Sequence, residues 1–179
     1  MQNNYAEQNL KLREMQIKYS GMFYTLPDTY QEKNEAYAKA FNTGKNFIVG
    51  YDTFIYRTHR LEGQIVIGDN VTIGSHCTID YSGILIIEDN AVISDGVRIF
   101  SHDHDVYKYT HKESNNVIPG KTVICRNAWI GAGSIILAGV KIGQFSVIGA
   151  GSVVTHDVPE AVIFGGNPAK YIAENKIKN

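Results

Sequence analysis

Beyond residue 47, aliphatic residues recur every six positions along the chain. An amphipathic helix would repeat about every 3.6 residues and an ordinary surface strand about every 2. A period of six instead predicts a short strand followed by a corner, so that three sides close one triangular coil and the aliphatic residues stack into a solenoid core. Fifteen positions keep this step in three runs: Val49, Ile55, Leu61, Ile67, Ile73 and Ile79; Ile87, Ile93 and Ile99; and Ile124, Ile130, Ile136, Ile142, Ile148 and Val154.

Two breaks in the six-residue step predict where the coil is interrupted. The step from Ile79 to Ile87 is eight positions, which indicates an insertion of two residues. The step from Ile99 to Ile124 is twenty-five positions, so a loop over 100–123 is predicted to leave the coil. Fifteen sides make about five triangular coils, and the pattern therefore predicts an all-β main domain.

The first 46 residues lack this pattern and are predicted to be helical. Residues 5–19 contain neither Gly nor Pro and interleave charged with apolar positions. A second helix is predicted from the polar residues after Pro27 to Phe41, with 42–44 ending it. The favoured interpretation is an amphipathic cap on the solenoid; the alternative is that its aromatic residues line an acceptor site. The predicted organisation has three parts: a helical segment at 1–46, a β domain at 47–172 and a C-terminal tail at 173–179.

Composition agrees with this division and narrows the classes of function. The chain has 22 Ile and 14 Val against 6 Leu, and β-branched residues favour strands over helices. Its formal net charge of −1 lacks the basic surplus of a duplex-binding protein, so nucleic acid is not an expected partner. No stretch approaches the roughly 20 apolar residues that span a bilayer, so no membrane insertion is expected.

The N-terminus and the cysteines indicate a cytoplasmic protein. Residues 1–5 are polar and are followed by no apolar region of the kind that a secretory signal carries. Cys77 and Cys125 are too few for a disulfide framework. Each is therefore expected to be a small buried side chain in a reducing cytoplasm.

The predicted loop carries the candidate chemistry. It holds three of the six histidines, His102, His104 and His111, and a loop that leaves a repeat to present polar side chains is typical of a functional site. Imidazole accepts a proton near neutral pH, as removal of a hydroxyl proton requires. Three interpretations are open: a metal site built on His-Asp-His, a solvated turn, or one general base supported by the other histidines. Asp103 or Asp105 could orient an imidazole, although a turn is the expected role of either.

Three segments resemble the hexapeptide-repeat acyltransferases, and the resemblance extends over residues 47–172. The segments are Ile130–Ile135, Ile142–Thr155 and the ending Val158–Lys170. The resemblance implies a left-handed parallel β-helix, a hand that periodicity alone does not give, since parallel β crossovers are nearly always right-handed. Residues 21–24 also resemble the N-terminal segment of maltose and galactoside O-acetyltransferases.

The resemblance also implies site residues. Sugar O-acetyltransferases of this fold place a catalytic histidine at the start of such a loop, and the matching position, counted from Val97–Ile99, is His104. His104 is therefore the implied general base, with His102 as the alternative base. His102 and Asp103 are otherwise expected to contact the substrate, and Trp129 matches a tryptophan that lines the active site of the galactoside-type enzymes.

The co-substrate implied by the resemblance is acetyl-CoA. The backbone N–H of Ala132 matches a position that meets the acetyl-thioester, and Ala150 and Thr155 match positions that touch the pantetheine arm. Members of this group often have Lys after this Thr, where the chain has His156. The phosphates are therefore expected to meet another lysine, and among Lys141, Lys170 and Lys176 we assign Lys170. No metal ligand is predicted.

Together these observations predict an acetyl-CoA-dependent O-acetyltransferase that transfers the acetyl group directly to a sugar or glycan hydroxyl. No acyl-enzyme is expected, because neither cysteine lies in the loop. The resemblance implies a homotrimer with active sites in the clefts between subunits. The alternatives are a xenobiotic O-acetyltransferase, which the ending Gly165–Ala169 also resembles, an amino-sugar N-acetyltransferase, a zinc-dependent β-helix carbonic anhydrase and a non-catalytic scaffold.

Overall fold

The described part of the chain is built mainly from short strands joined by turns. The computed structural model describes residues 37–50, 52–58, 60–114 and 116–176. Within these residues there are two helical segments, α1 over 37–41 and α2 at Val106–Thr110. In chain order the described strands are β1 (Ile48–Val49), β2 (Phe54–Tyr56), β3 (Gln64–Ile67), β4 (Thr72–Ile73), β5 (Thr78–Asp80), β6 (Ile84–Ile87), β7 (Val92–Ile93), β8 (Arg98–Ile99), β9 (His102–His104), β10 (Val117–Pro119), β11 (Lys121–Ile124), β12 (Trp129–Ile130), β13 (Ile135–Ile136), β14 (Lys141–Ile142), β15 (Val147–Ile148), β16 (Val153–Val154), β17 (Val162–Gly165) and β18 (Lys170–Glu174).

Three parallel sheets form the faces of a triangular solenoid. Sheet 1 contains β1, β4, β7, β12, β15 and β17, with β18 antiparallel to β17 at its edge. Sheet 2 contains β2, β5, β8, β13 and β16, and sheet 3 contains β3, β6, β11 and β14. Successive strands of the coil enter sheets 1, 2 and 3 in turn, and each pairs in parallel with the strand one coil away. This arrangement confirms the predicted parallel β-helix.

The six-residue step identifies the core of the solenoid. Fourteen of its fifteen positions are buried, with at most 3% of their surface exposed. The exception is Leu61, which is half-buried because the chain turns between β2 and β3 instead of running as a strand. The solenoid has about six turns rather than the predicted five, because β17 adds a sixth parallel strand to sheet 1 beyond the last repeat position, Val154.

Departures from the repeat lie where the chain passes from sheet 2 to sheet 3, which we call the 2–3 corner. The irregular turn around Leu61 lies there in the first coil, and the insertion between Ile79 and Ile87 lies there in the second. In the third coil β9 and β10 form an antiparallel hairpin on either side of α2, and the chain re-enters sheet 3 at Lys121. Both interruptions predicted from the step are therefore found at this corner.

The described part of the N-terminal segment packs on the first coil. Helix α1 ends at Phe41, and Asn42 follows with a φ of 49°, as its polar C-terminal sequence predicts. Tyr37 and Phe41 are buried, and the ring of Phe41 meets Tyr81 edge-on at 5.7 Å. The helix predicted over 5–19 lies outside the described residues. In the part of the chain that the structure describes, no helix is long and apolar enough to cross a bilayer.

Candidate active site

A column of side chains follows the strands of sheet 2 along the 2–3 corner. Tyr56 and Asp80 are register partners at the ends of β2 and β5. Phe100, Leu137 and Thr155 take the equivalent place in the next three coils, because each follows a paired core residue of sheet 2. The parallel register therefore brings together residues that lie far apart in the sequence.

Strand β9 of the hairpin and the side chains of this column line an open cavity of about 320 Å³. The volume is at the lower end of the range for small-molecule sites and suits one small polar ring. Three predicted site residues, His102, Asp103 and His104, line it together on β9. The full lining is Tyr56, Phe100, His102, Asp103, His104, Leu137 and Ala138.

His102 is paired with a buried carboxylate. Its Nδ1 lies 2.7 Å from Oδ2 of Asp80, and the Asp80 side chain is fully buried while that of His102 is 14% exposed. An ionised carboxylate only accepts hydrogen bonds, so Nδ1 is the donor in this pair. The lone pair of the neutral ring is then on Nε2, on the opposite side of the imidazole.

The Asp80 carboxylate has a full set of donors besides His102. Its Oδ1 accepts from the backbone N–H of Ser82 at 3.0 Å and from the Ser82 hydroxyl. Its Oδ2 accepts from the backbone N–H of Ser101 at 2.9 Å and from the Ser101 hydroxyl at 3.3 Å. Backbone and hydroxyl donors of this kind hold a carboxylate in one orientation.

His104, the predicted general base, is exposed at the end of β9. Its ring meets His102 edge-on at 5.4 Å and Tyr109 at 5.5 Å between centroids. Among the described residues no carboxylate is paired with this ring, so the imidazole is not tied to one orientation as His102 is. Asp103 accepts from the backbone N–H of His104 at 2.7 Å, and Asp105 caps α2 by accepting from Lys108 at 3.1 Å. Both aspartates thus have the turn roles that the sequence favours.

Tyr56 adds a phenol to the cavity wall. Its ring stacks on Phe54 with centroids 5.2 Å apart. Burial raises the pKa of Tyr56 above its usual value, and the negative charge of Asp80 raises it further. The Tyr56 hydroxyl therefore stays protonated over the physiological pH range and is able to donate a hydrogen bond. Sequence reasoning missed Tyr56 and Asp80, although the insertion that directly follows Asp80 marks this region.

Other predicted residues lie on different parts of the solenoid. Trp129 is 52% exposed on the outer face of sheet 1, where its indole N–H donates to the Ser94 hydroxyl at 2.9 Å, and it does not line the cavity. Ala132 and Ala150 are stacked at the corner between sheets 1 and 2, where the N–H of Gly151 donates to the Ala132 carbonyl at 2.8 Å. One chain therefore does not bring Trp129 to the histidines.

The two remaining residues predicted to bind the cofactor also lie in different parts of the solenoid. Thr155 lies at the 2–3 corner, one coil beyond Leu137. Lys170 is exposed at the start of β18, opposite Gly165 of β17. Only Thr155 thus lies on the same corner as the cavity.

Two further observations concern a cysteine nucleophile and a bound metal ion at this site. Cys77 and Cys125 are buried and free, and neither lines the cavity. Burial raises the pKa of both thiols, which lowers the fraction of the nucleophilic thiolate. Within 37–50, 52–58, 60–114 and 116–176, no group of three or more His, Cys, Asp or Glu side chains is arranged to hold a metal ion.

Two family models match segments of the solenoid. Residues 64–101 match the hexapeptide repeat of succinyl-transferase, and residues 121–156 match the bacterial transferase hexapeptide with six repeats. The two matched segments cover the coils on either side of the hairpin. The excursion that carries the histidines lies between them.

Relatives and a solved structure agree with these matches. WbbJ of Escherichia coli, named as a candidate lipopolysaccharide biosynthesis O-acetyl transferase, is 30% identical over 74% of this chain and 71% of its own length. Galactoside O-acetyltransferase of Escherichia coli is 30% identical over 78% of this chain and 56% of its own length. A galactoside acetyltransferase solved in complex with coenzyme A is 27% identical, with a TM-score of 0.79 over 96% of this chain and 82% of that one.

The chain belongs to the hexapeptide-repeat acyltransferases, and it is similar to members of the sugar O-acetyltransferase type. The likeness in structure confirms the predicted left-handed parallel β-helix. Three of the curated relatives are matched over only about half of their own length, 49–56%.

Proposed function

We propose that this chain is an acetyl-CoA-dependent O-acetyltransferase that acts on a hydroxyl of a sugar or glycan. The observation that carries the proposal is the cavity at the 2–3 corner, which is lined by two imidazoles and the Tyr56 ring and has about the size of one sugar ring. The co-substrate is supported by the coenzyme A bound in the similar galactoside acetyltransferase. A hydroxyl acceptor is supported by the names of the galactoside and lipopolysaccharide relatives.

In the proposed mechanism His104 acts as general base. Its imidazole accepts the proton of the acceptor hydroxyl while the oxygen attacks the thioester carbon. The tetrahedral intermediate collapses with cleavage of the carbon–sulfur bond, and the imidazolium returns the proton to the thiolate of coenzyme A. A backbone N–H, assigned to Ala132, stabilises the oxyanion. Direct transfer without an acyl-enzyme agrees with two buried cysteines that lie outside the cavity.

The proposed site needs residues from two copies of the chain. The histidines lie at the 2–3 corner, whereas Ala132 and Ala150 lie at another corner and Trp129 lies on sheet 1. A homotrimer whose clefts oppose these surfaces would bring the two sets together, and we expect a trimer as the active form. Sedimentation equilibrium should give three times the 19.9 kDa chain mass. A monomer with full activity would contradict the shared site.

The proposed compartment is the cytoplasm. Both cysteines are free in the structure, which suits a reducing environment. Acetyl-CoA, the proposed co-substrate, is also consistent with the cytoplasm.

The proposed reaction is tested by release of free coenzyme A from acetyl-CoA in the presence of candidate acceptors. We expect release that depends on a galactoside or maltose and a product heavier by one acetyl group on oxygen. Chloramphenicol and an amino sugar serve as competing acceptors in the same assay. Transfer only to the amine or only to chloramphenicol would reject the sugar hydroxyl, and an absence of acetyl-CoA binding would favour a non-catalytic scaffold.

A further inference from the structure

Asp80 is a charged residue at a position where the neighbouring coils have uncharged side chains. The equivalent places in the next two coils hold Phe100 and Leu137, and its partner in the preceding coil is Tyr56. Apolar side chains therefore satisfy the same backbone position. A fully buried charge costs folding free energy unless it is paired, and well-packed apolar residues commonly replace such charges without loss. Part of the role of the carboxylate is to accept from the buried backbone N–H groups of Ser82 and Ser101, and the rest is its bond to His102.

One hydrogen bond of Asp80 connects it with a residue that lines the cavity. Four of its five donors belong to Ser82 and Ser101, whose backbone and hydroxyl groups fix the carboxylate from within the buried corner. The fifth donor is Nδ1 of His102, which lines the cavity. Among the described residues, the hydrogen bonds of Asp80 therefore reach the candidate site only through the His102 ring.

We propose that Asp80 is a positioning residue that holds His102 with Nδ1 protonated and with Nε2 free to accept a hydrogen bond from the acceptor. Nε2 receives the bond from a second hydroxyl, next to the hydroxyl that His104 deprotonates. The proposal rests on the proposed function and names a substrate class, an acceptor with two neighbouring hydroxyls. The second hydroxyl only donates a hydrogen bond to Nε2 and keeps its proton during the transfer.

The different surroundings of the two imidazoles support this division. His102 is pinned by a 2.7 Å bond to a buried anion, whereas the His104 ring has no carboxylate partner among the described residues. A carboxylate-held imidazole with a free Nε2 also suits a general base, so the surroundings alone do not assign the base; His104 is the base by its matched position, and the experiments below separate binding from base catalysis at His102. A side chain that binds the substrate gives higher affinity when its ring is fixed, because less conformational entropy is lost when the hydroxyl binds.

The first experiment replaces His102 by Gln and by Phe. The Gln amide oxygen is able to accept a hydrogen bond near the Nε2 position but does not act as a base, whereas Phe keeps the ring and loses the bond. We expect His102→Gln to keep kcat within a few-fold. We expect His102→Phe to raise the KM for a galactoside roughly tenfold, as loss of one hydrogen bond to a hydroxyl implies. If His102→Gln loses turnover as severely as His104→Ala, His102 is the base and the proposal is wrong.

The second experiment tests Asp80 itself. In Asp80→Asn an NH2 group replaces one carboxylate oxygen and meets the backbone N–H of Ser82 or Ser101, so the network that holds the His102 ring with Nδ1 protonated is lost. We expect the same rise in KM as for His102→Phe, and no further rise when Asp80→Asn is added to His102→Phe. An unchanged KM in a folded Asp80→Asn variant would overturn the proposal. If that variant fails to fold, the comparison of His102→Gln with His102→Phe decides the question.

The chain offers a matched control pair on its surface. Asp52 and His76 also approach each other, with Oδ2 and Nδ1 3.9 Å apart, but both side chains are exposed and outside the cavity. Asp52→Asn and His76→Gln are expected to leave KM and kcat unchanged. Effects equal to those at Asp80 and His102 would mean that the changes act on the fold in general, which would also overturn the proposal.

Acceptor analogues separate this proposal from the proposed function. With methyl galactoside and its monodeoxy analogues, one missing hydroxyl should raise KM for the wild-type protein but not for His102→Phe. If the wild-type protein transfers acetyl to no sugar, both the proposed function and this inference fail. If transfer occurs and His102→Phe responds to every analogue as the wild type does, only the inference fails.

Discussion

The His104→Ala variant is expected to lose turnover by about 10²–10⁴-fold, the range that a general base contributes to hydroxyl attack. The imidazole lies on β9 beside His102 and faces the cavity at the 2–3 corner. Removing it takes away the group assigned to accept the proton of the acceptor hydroxyl. The measurement is kcat at saturating acetyl-CoA and acceptor, and the KM for acetyl-CoA should stay close to the wild-type value.

His111→Ala is the matched control for this substitution. His111 is in the same excursion, but its Nδ1 donates to the Tyr107 carbonyl at 2.8 Å and its ring stacks on Tyr107, away from the cavity lining. We expect near-normal turnover for this variant. Near-normal turnover for His104→Ala, with an unchanged melting temperature, would show that another group removes the proton.

The Ile130→Ala variant is expected to lose about 2–5 kcal/mol of unfolding free energy, as is typical of large-to-small substitutions in a core. Ile130 is fully buried between its register partners Ile93 and Ile148 in the middle coils. The stacked coils have no loose segment that moves in to fill the space, so the cavity should persist. Urea unfolding at one fixed protein concentration measures the change, because subunit association also contributes to stability.

Val92→Ala is the control for the core substitution. Val92 lies on the same sheet, opposite Trp129, but 40% of it is exposed on the outer face. Its truncation should cost less than about 1 kcal/mol, as substitutions outside the core usually do. Equal losses for Ile130→Ala and Val92→Ala would mean that the inward row does not dominate the stability of the solenoid.

The fold was predictable because one physical requirement repeats along the chain. Each coil stacks on the next only if its inward residues recur at the same step, so the sequence displays the core directly. Leu61 is the exception, since the turn between β2 and β3 breaks the strand without changing the step. The sixth turn was missed because Val158 and β17 lie beyond the last residue of the six-residue series and follow no such pattern.

The site was predictable only where its residues are local in sequence. His102 and His104 are two positions apart on one strand, and an interruption of the repeat pointed to both. Asp80 and Tyr56 join them through register across coils, which a periodic pattern does not reveal for polar positions outside the series. Trp129 and Ala132 follow from resemblance alone, and in one chain they lie apart from the cavity.

The restriction of irregular segments to the 2–3 corner has a consequence for how such a chain changes over evolution. Residues added at that edge leave the stacking of the other two corners untouched, because the coil resumes its phase in sheet 3. Lengthening or exchanging the excursion therefore alters the cavity at this corner while the predicted acetyl-CoA contacts at Ala132 and Ala150 keep their places. The sequence at the 2–3 corner is therefore able to change while the rest of the solenoid keeps its structure.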